Sequence, residues 1–314
     1  MTRQETNIMK GVAILLMIFY HLFNASENHL YVNTWLGQIA LRQNPVPFYL
    51  ILSGYGMYFV TNRGGQDRHR WSRLLKLYLR YWCITAAFVS ISYLTGSFEP
   101  DLSPLSILQN VTAFSTTYNN VAWFILPYAM LALSAPFLFR AMDRVGILPS
   151  LAIAYAVYCG AAYMNRYSWF GANVFQYFYL LFPFLLGGVM CKTCLLEMIR
   201  NKFQSFDSHI YWLLLALLVA ARYFVGTGAV MAVYAFGFTL LLLLARRPSW
   251  LDSMLQHLGR HSTSMWLIHI YYVLYLTHDL LYGLGNPLLI MAVAVMATYI
   301  TARLFDAVFK KLDI

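Results

Sequence analysis

The sequence predicts an all-α polytopic membrane protein of about ten transmembrane helices with both termini in the cytoplasm. Three observations carry this. Only 11% of the 314 residues are charged while 60% are hydrophobic, with a mean hydropathy of +0.58. Soluble domains carry about 25% charged residues, so a water-exposed surface could not be covered. Apolar stretches recur along nearly the whole chain at the length a bilayer requires. The basic residues fall almost entirely on one side of the resulting topology. Disorder and a nucleic-acid module are excluded by the same composition.

The first element is the stretch N-I-M-K-G-V-A-I-L-L-M-I-F-Y-H-L-F, residues 7–23. Its basic start and apolar run suit a signal peptide, but the exit H-L-F-N-A-S lacks an A-x-A-like site, so a retained helix over 7–24 is expected. Further helices are expected over 44–60, 77–96, 121–139, 145–163, 172–190, 209–225, 229–245, 262–282 and 288–306. With the N-terminus inside, eighteen of the 22 Lys and Arg residues lie on inward segments and only Arg42 and Arg166 on outward ones. Arg80 and Arg222 fall in helices near their ends, where long side chains reach the interface. This positive-inside bias explains the formal charge of +10 by orientation. No internal repeat or linker divides the chain, so residues 1–314 read as one domain.

Two outward segments, 25–43 and 97–120, are polar and suit the cover of an external mouth; Glu27, His29, Glu99 and Asp101 lie there. Asn24-Ala-Ser and Asn110-Val-Thr match the glycosylation sequon, a pattern short enough to arise by chance. The pair Cys191 and Cys194, alone at a helix end, is a weak metal or redox signal, and no metal is expected. There is no G-x-x-x-x-G-K-[ST] loop, no H-E-x-x-H and no G-x-S-x-G. The acidic residues Glu197, Asp279 and Asp306 sit near helix ends, so the intramembrane polar chemistry rests mainly on His21 and His269.

Lys10 and His21 are eleven residues apart, close to three helical turns, which puts them on one face roughly 16 Å apart along the axis. Asn7, Ile14 and Met17 continue that face. An imidazole inside a membrane-length helix is costly unless it faces a bundle interior, and it marks a candidate site. The alternative is a neutral histidine bonded to a neighbouring helix. Arg73, Lys76 and Arg80 follow i, i+3, i+7 spacing and form a cationic stripe entering the third helix. Such a stripe suits a multiply charged phosphate ligand as well as a solvated inward loop.

Four stretches in order resemble acyltransferase family 3, the bacterial integral-membrane O-acyltransferases of surface glycans. They are N-I-M-K-G-V-A-I-L-L-M-I-F-Y-H at residues 7–21; P-F-Y-L-I-L-S-G-Y, with Ser53, Gly54 and Tyr55; R-L-L-K-L-Y from Arg73; and H-S-T-S-M-W-L-I-H, ending at His269. A-W-F-I-L-P-Y around Trp123 is a weaker echo. Lys10 stands where the family usually has Arg, Asn7 where it often has an acid, and Lys76 where a second Arg is expected; the Glu that follows the fourth-helix Trp in one branch is missing.

The resemblance implies a multi-pass protein of a bacterial inner or plasma membrane. It implies transfer of an acyl group, acetyl above all, from cytoplasmic acyl-CoA to a hydroxyl of a cell-surface or lipid-linked glycan. Acetyl-CoA is then a co-substrate, and the partners are the glycan acceptor and membrane lipids, with no nucleic acid. On this reading Lys10, Arg73 and Lys76 hold the CoA phosphates, and His21 is general base or transient acyl carrier. Asn7, Ser53, Trp123 and His269 shape the acceptor cavity, His269 orienting the acceptor or stabilising the oxyanion. The rival is a polysaccharide or lipid-linked sugar translocator, whose aromatic interior would serve as well; a scaffold without chemistry is the third reading.

Overall fold

The computed structural model describes residues 1–24, 29–31, 33–62, 67–164, 173–203 and 206–314. Glu27, Arg63 and Arg166 lie outside them, as does most of the first sequon; the side chains of His29 and Arg68 are likewise not described. The described residues are mostly helical, with no strand among them.

The helices are α1 (Arg3–Phe23), α2 (Trp35–Leu41), α3 (Val46–Asn62), α4 (Asp67–Leu94), α5 (Pro104–Val111), α6 (Ile125–Val145) and α7 (Ile147–Met164). They continue as α8 (Gln176–Lys192), α9 (Leu195–Lys202), α10 (Ser208–Phe224), α11 (Met231–Leu244), α12 (Ser249–Ile270), α13 (His278–Tyr282) and α14 (Pro287–Lys311). A helix therefore stands at each of the ten expected places. Among the described residues, six helical stretches are long and apolar enough to cross a bilayer: 3–23, 70–94, 120–145, 147–164, 173–192 and 287–311. α10 and α11 are shorter apolar helices.

Two departures from the expected bounds matter for the site. α4 runs 28 residues and begins at Asp67, ten positions before the expected start at 77, so Arg73, Lys76 and Arg80 ride on a rigid helix. Their charge lowers the local hydropathy, but Arg, Leu and Lys are all good helix formers. α12 likewise begins at Ser249 instead of 262, because its first half is polar; after Ile270 it widens into a π-helical turn over Tyr271–Leu276.

α1 opens with a capping box: the Thr2 hydroxyl accepts from the Glu5 backbone N–H at 3.1 Å and Glu5 Oε2 accepts from the Thr2 N–H at 2.7 Å. Arg200 of α9 closes on the same carboxylate. The core is held by two close helix pairs, α1 on α12 and α3 on α8. A Cβ at Gly11 would stand 2.1 Å from the Leu255 carbonyl oxygen, and one at Gly259 would stand 1.9 Å from that of Asn7. Gly54 and Gly187 stand in the same relation across α3 and α8, at 1.8 Å from Phe184 O and 1.9 Å from Ile51 O. Small residues let backbones approach in this way, and packing of this kind holds helices together where lipid offers no hydrophobic drive.

The second sequon is absorbed by the fold. Asn110 is buried; its Nδ2 donates to Ser106 O and Thr117 Oγ1, both at 2.9 Å, and its Oδ1 accepts from the Tyr118 N–H at 2.9 Å. Both N–H groups of this amide are taken and the side chain is buried, so it is not presented to a glycan.

Candidate active site

A cavity of about 520 Å³ runs along the face of α1 between Lys10 and His21. α1 contributes those two residues with Met17 and Tyr20, α3 adds Tyr49 and Ser53, and α4 adds Arg73, Lys76 and Arg80. The entry to α6 supplies Asn120, Trp123 and Tyr128, and α12 supplies Ser262 and Trp266. Lys10, His21, Ser53, Arg73, Lys76 and Trp123 thus share one space. Asn7 does not line it: its backbone is the surface against which Gly259 packs.

The end of the cavity at Lys10 is cationic. The charges acting on Lys10 are those of Arg73 and Arg3, and among the described residues no carboxylate pairs with Lys10 or Arg73. The other two cations are partly neutralised. Lys76 Nζ lies 2.9 Å from Asp313 in an exposed pair, and Arg80 Nη1 lies 3.3 Å from Asp306. Asp306 also accepts from Ser264 Oγ and contacts His261 Nδ1, each at 2.5 Å, so it ties α4, α12 and α14 together. Of the stripe read from the sequence, Arg73 is the member left with its full charge toward the cavity. Two like charges without a counter-ion among the described residues make a ready anion site.

The other end holds two imidazoles. His21 is half-buried and faces the cavity, with Tyr20 edge-on at 5.1 Å between ring centres. His269 does not line the cavity; it is fully buried directly behind, its ring centre 5.0 Å from that of His21. His269 Nδ1 stands 2.7 Å from the Trp266 carbonyl oxygen. A carbonyl only accepts, so Nδ1 carries the proton and Nε2 presents a lone pair. That Nε2 is buried without a hydrogen-bond partner, as few buried polar atoms are. A neutral His269 in this tautomer can accept a proton or an N–H but has none to donate to an oxyanion. The π-helical turn follows immediately, as such turns often do beside functional sites.

Asn44, Tyr49, Asn120 and Tyr128 also line the cavity, and nothing in the sequence pattern singles them out as a group. Tyr49 alone has a signal: it precedes Ser53 by one helical turn, on the same face of α3. Asn119, fully buried, donates to Leu267 O at 2.9 Å and so anchors the α6 entry to α12.

A multi-pass helical bundle with an internal polar cavity, cationic at one end and carrying imidazole at the other, defines a membrane enzyme in form. Comparison with protein families identifies it: the acyltransferase family 3 model, described as an acyltransferase domain, matches residues 3–305, and the chain belongs to that family. It is therefore a membrane acyltransferase acting on acyl groups other than aminoacyl groups. Comparison with curated proteins found no match, and neither did comparison with solved structures.

Proposed function

We propose that the protein moves an acetyl group from cytoplasmic acetyl-CoA to a hydroxyl of a cell-surface or lipid-linked glycan. The observation that carries this reading is the single cavity joining the Lys10 and Arg73 cations to a half-buried histidine over a length suited to an extended thioester arm. Lys10, Arg73 and Lys76 bind the CoA phosphates, with ten membrane spans and the Lys10 end on the cytoplasmic side. The thioester then lies near His21. His21 takes the proton of the acceptor hydroxyl as its oxygen bonds the carbonyl carbon; the C–S bond breaks, and the proton passes to the departing CoA thiolate. An imidazole needs little tuning for this near neutral pH.

His269 acts through His21: its Nε2, unpartnered in the resting structure, accepts the second N–H of the imidazolium that forms when His21 takes the acceptor proton. This makes it a positioning residue, a different role from direct contact with the acceptor. His269→Leu keeps the volume and removes the acceptor; kcat is expected to fall about tenfold, the worth of one buried hydrogen bond. The acetyl-CoA KM should stay constant, and His269→Gln, which restores an acceptor, should recover part of the loss. Equal kcat in the Leu variant would reduce His269 to a packing role.

The donor assignment is tested on the purified protein. Acetyl-CoA should raise its melting temperature by ligand linkage, and Lys10→Gln should weaken that shift and raise the acetyl-CoA KM more than the acceptor KM. A translocator would ignore CoA. No shift at millimolar acetyl-CoA, or a larger change in acceptor KM, would remove the phosphate role.

A further inference from the structure

A second cavity, about 500 Å³, opens along α10 and α11 beneath α2. Its wall is apolar over most of its length, with Leu215, Ala216, Val219, Ala220 and Phe238. Ala216 and Ala220 are exposed on the bundle exterior, so the groove is open to lipid. It extends from Trp212 to Tyr223, twelve residues of α10 spanning roughly 16 Å, about half the hydrocarbon thickness of a bilayer.

The groove is polar at one end only. There Arg42 lies over the Tyr223 ring, 5.1 Å from its centre, and gives Nη1 to Gln38 O and Oε1 at 2.8 and 3.0 Å. Its Nε is buried without a hydrogen-bond partner. With Nη1 held by Gln38, the guanidinium keeps its positive charge at this end of the groove, where it attracts a phosphate. Arg222, buried on the neighbouring helix with its own Nε unpartnered, adds its charge to Arg42. No carboxylate pairs with either among the described residues. Two arginines without a carboxylate partner are costly where one of them is buried in the protein, and on the expected topology they stand on the side that has least use for them.

The groove also adjoins the active-site cavity. Arg42 and Gln43 line the groove; the next three residues, Asn44, Pro45 and Val46, line the cavity that holds His21. A single run of backbone separates the two spaces. α2 packs near the Phe23 end of α1, where a Cβ at Gly37 would stand 3.1 Å from Phe23 O, so this junction lies beyond His21 from Lys10.

We infer that the groove is the seat of the acceptor's lipid carrier: a hydrocarbon chain fills it, a phosphate ester sits on Arg42, and the attached sugar reaches past Asn44 to His21. This rests on the glycan reading above and narrows it to a sugar presented on a phosphate-bearing lipid. Donor and acceptor then approach the histidine from opposite ends without crossing.

Native mass spectrometry of the full chain tests the seat with geranylgeranyl phosphate, geranylgeraniol and inorganic phosphate as probes. The phosphate lipid should bind. Arg42→Gln should reduce its occupancy about tenfold, the loss of one charge-assisted contact. Ala220→Trp, which fills the groove at an exposed position and leaves Arg42 in place, should reduce it as well. Equal binding of geranylgeraniol, equal competition by inorganic phosphate, or unchanged occupancy in both variants would overturn the inference. The acetyl-CoA thermal shift of the same preparation keeps the two readings apart. Lipid binding without that shift supports the seat and removes the CoA donor; a shift without lipid binding removes the seat alone.

Discussion

Replacing His21 with alanine is expected to abolish acyl transfer while leaving the protein folded and able to bind acetyl-CoA. General-base catalysis by a positioned side chain contributes about 10²–10⁴-fold, and among the described residues no second imidazole lines this cavity to take its place. His269 is fully buried behind His21 and outside the cavity lining, and His261 is engaged with Asp306 at 2.5 Å. The alanine variant removes the ring at the cavity wall, half-buried, so the packing loss is modest beside the chemical one. Purified His21→Ala should therefore elute as wild type, keep its acetyl-CoA thermal shift and show less than about one hundredth of the kcat. Full acetyl-CoA-dependent activity in that variant would end the assignment. A covalent route is distinguished in the same material: an acetylated His21 peptide accumulates without acceptor only if the imidazole carries the group.

Helix positions are legible in the sequence because a bilayer demands apolar stretches of set length. The Lys10–His21 alignment is legible because helical geometry alone fixes it. What escapes a sequence reading has other causes. The early starts of α4 and α12 escape because hydropathy falls at Arg73, Lys76 and Arg80, and again at Gln256, His257 and Arg260, while the backbone stays helical. Asn44 and Asn120 escape because they converge only through the packing of the α3 and α6 entries around α1. The apposition of His21 and His269 is likewise a tertiary fact, set by two helices 200 and more residues apart in the chain. Arg42 is visible as an exception to the charge bias, but an exception acquires meaning only beside the groove it closes.

That apposition depends on how closely α1 and α12 approach, which makes Gly259→Ala the second variant of large expected effect. A Cβ there would lie 1.9 Å from Asn7 O and 3.0 Å from the Gly11 N. Both are backbone atoms, so no rotamer change relieves the overlap; ordinary contact requires the helices to part by more than an ångström. Overpacking of this kind costs about 1–3 kcal/mol, and here it separates the two helices that bring His21 and His269 together. The melting temperature should fall, and kcat should fall further than the unfolded fraction accounts for, because misplacement by about an ångström already costs about a hundredfold in a tuned site. Gly56→Ala is the matched control. It lies in α3 with nothing within 4 Å of the Cβ it would gain, and removing a helix-interior glycine stabilises by up to about 1 kcal/mol. Should Gly259→Ala melt and turn over like Gly56→Ala, close helix approach is not what aligns the two imidazoles.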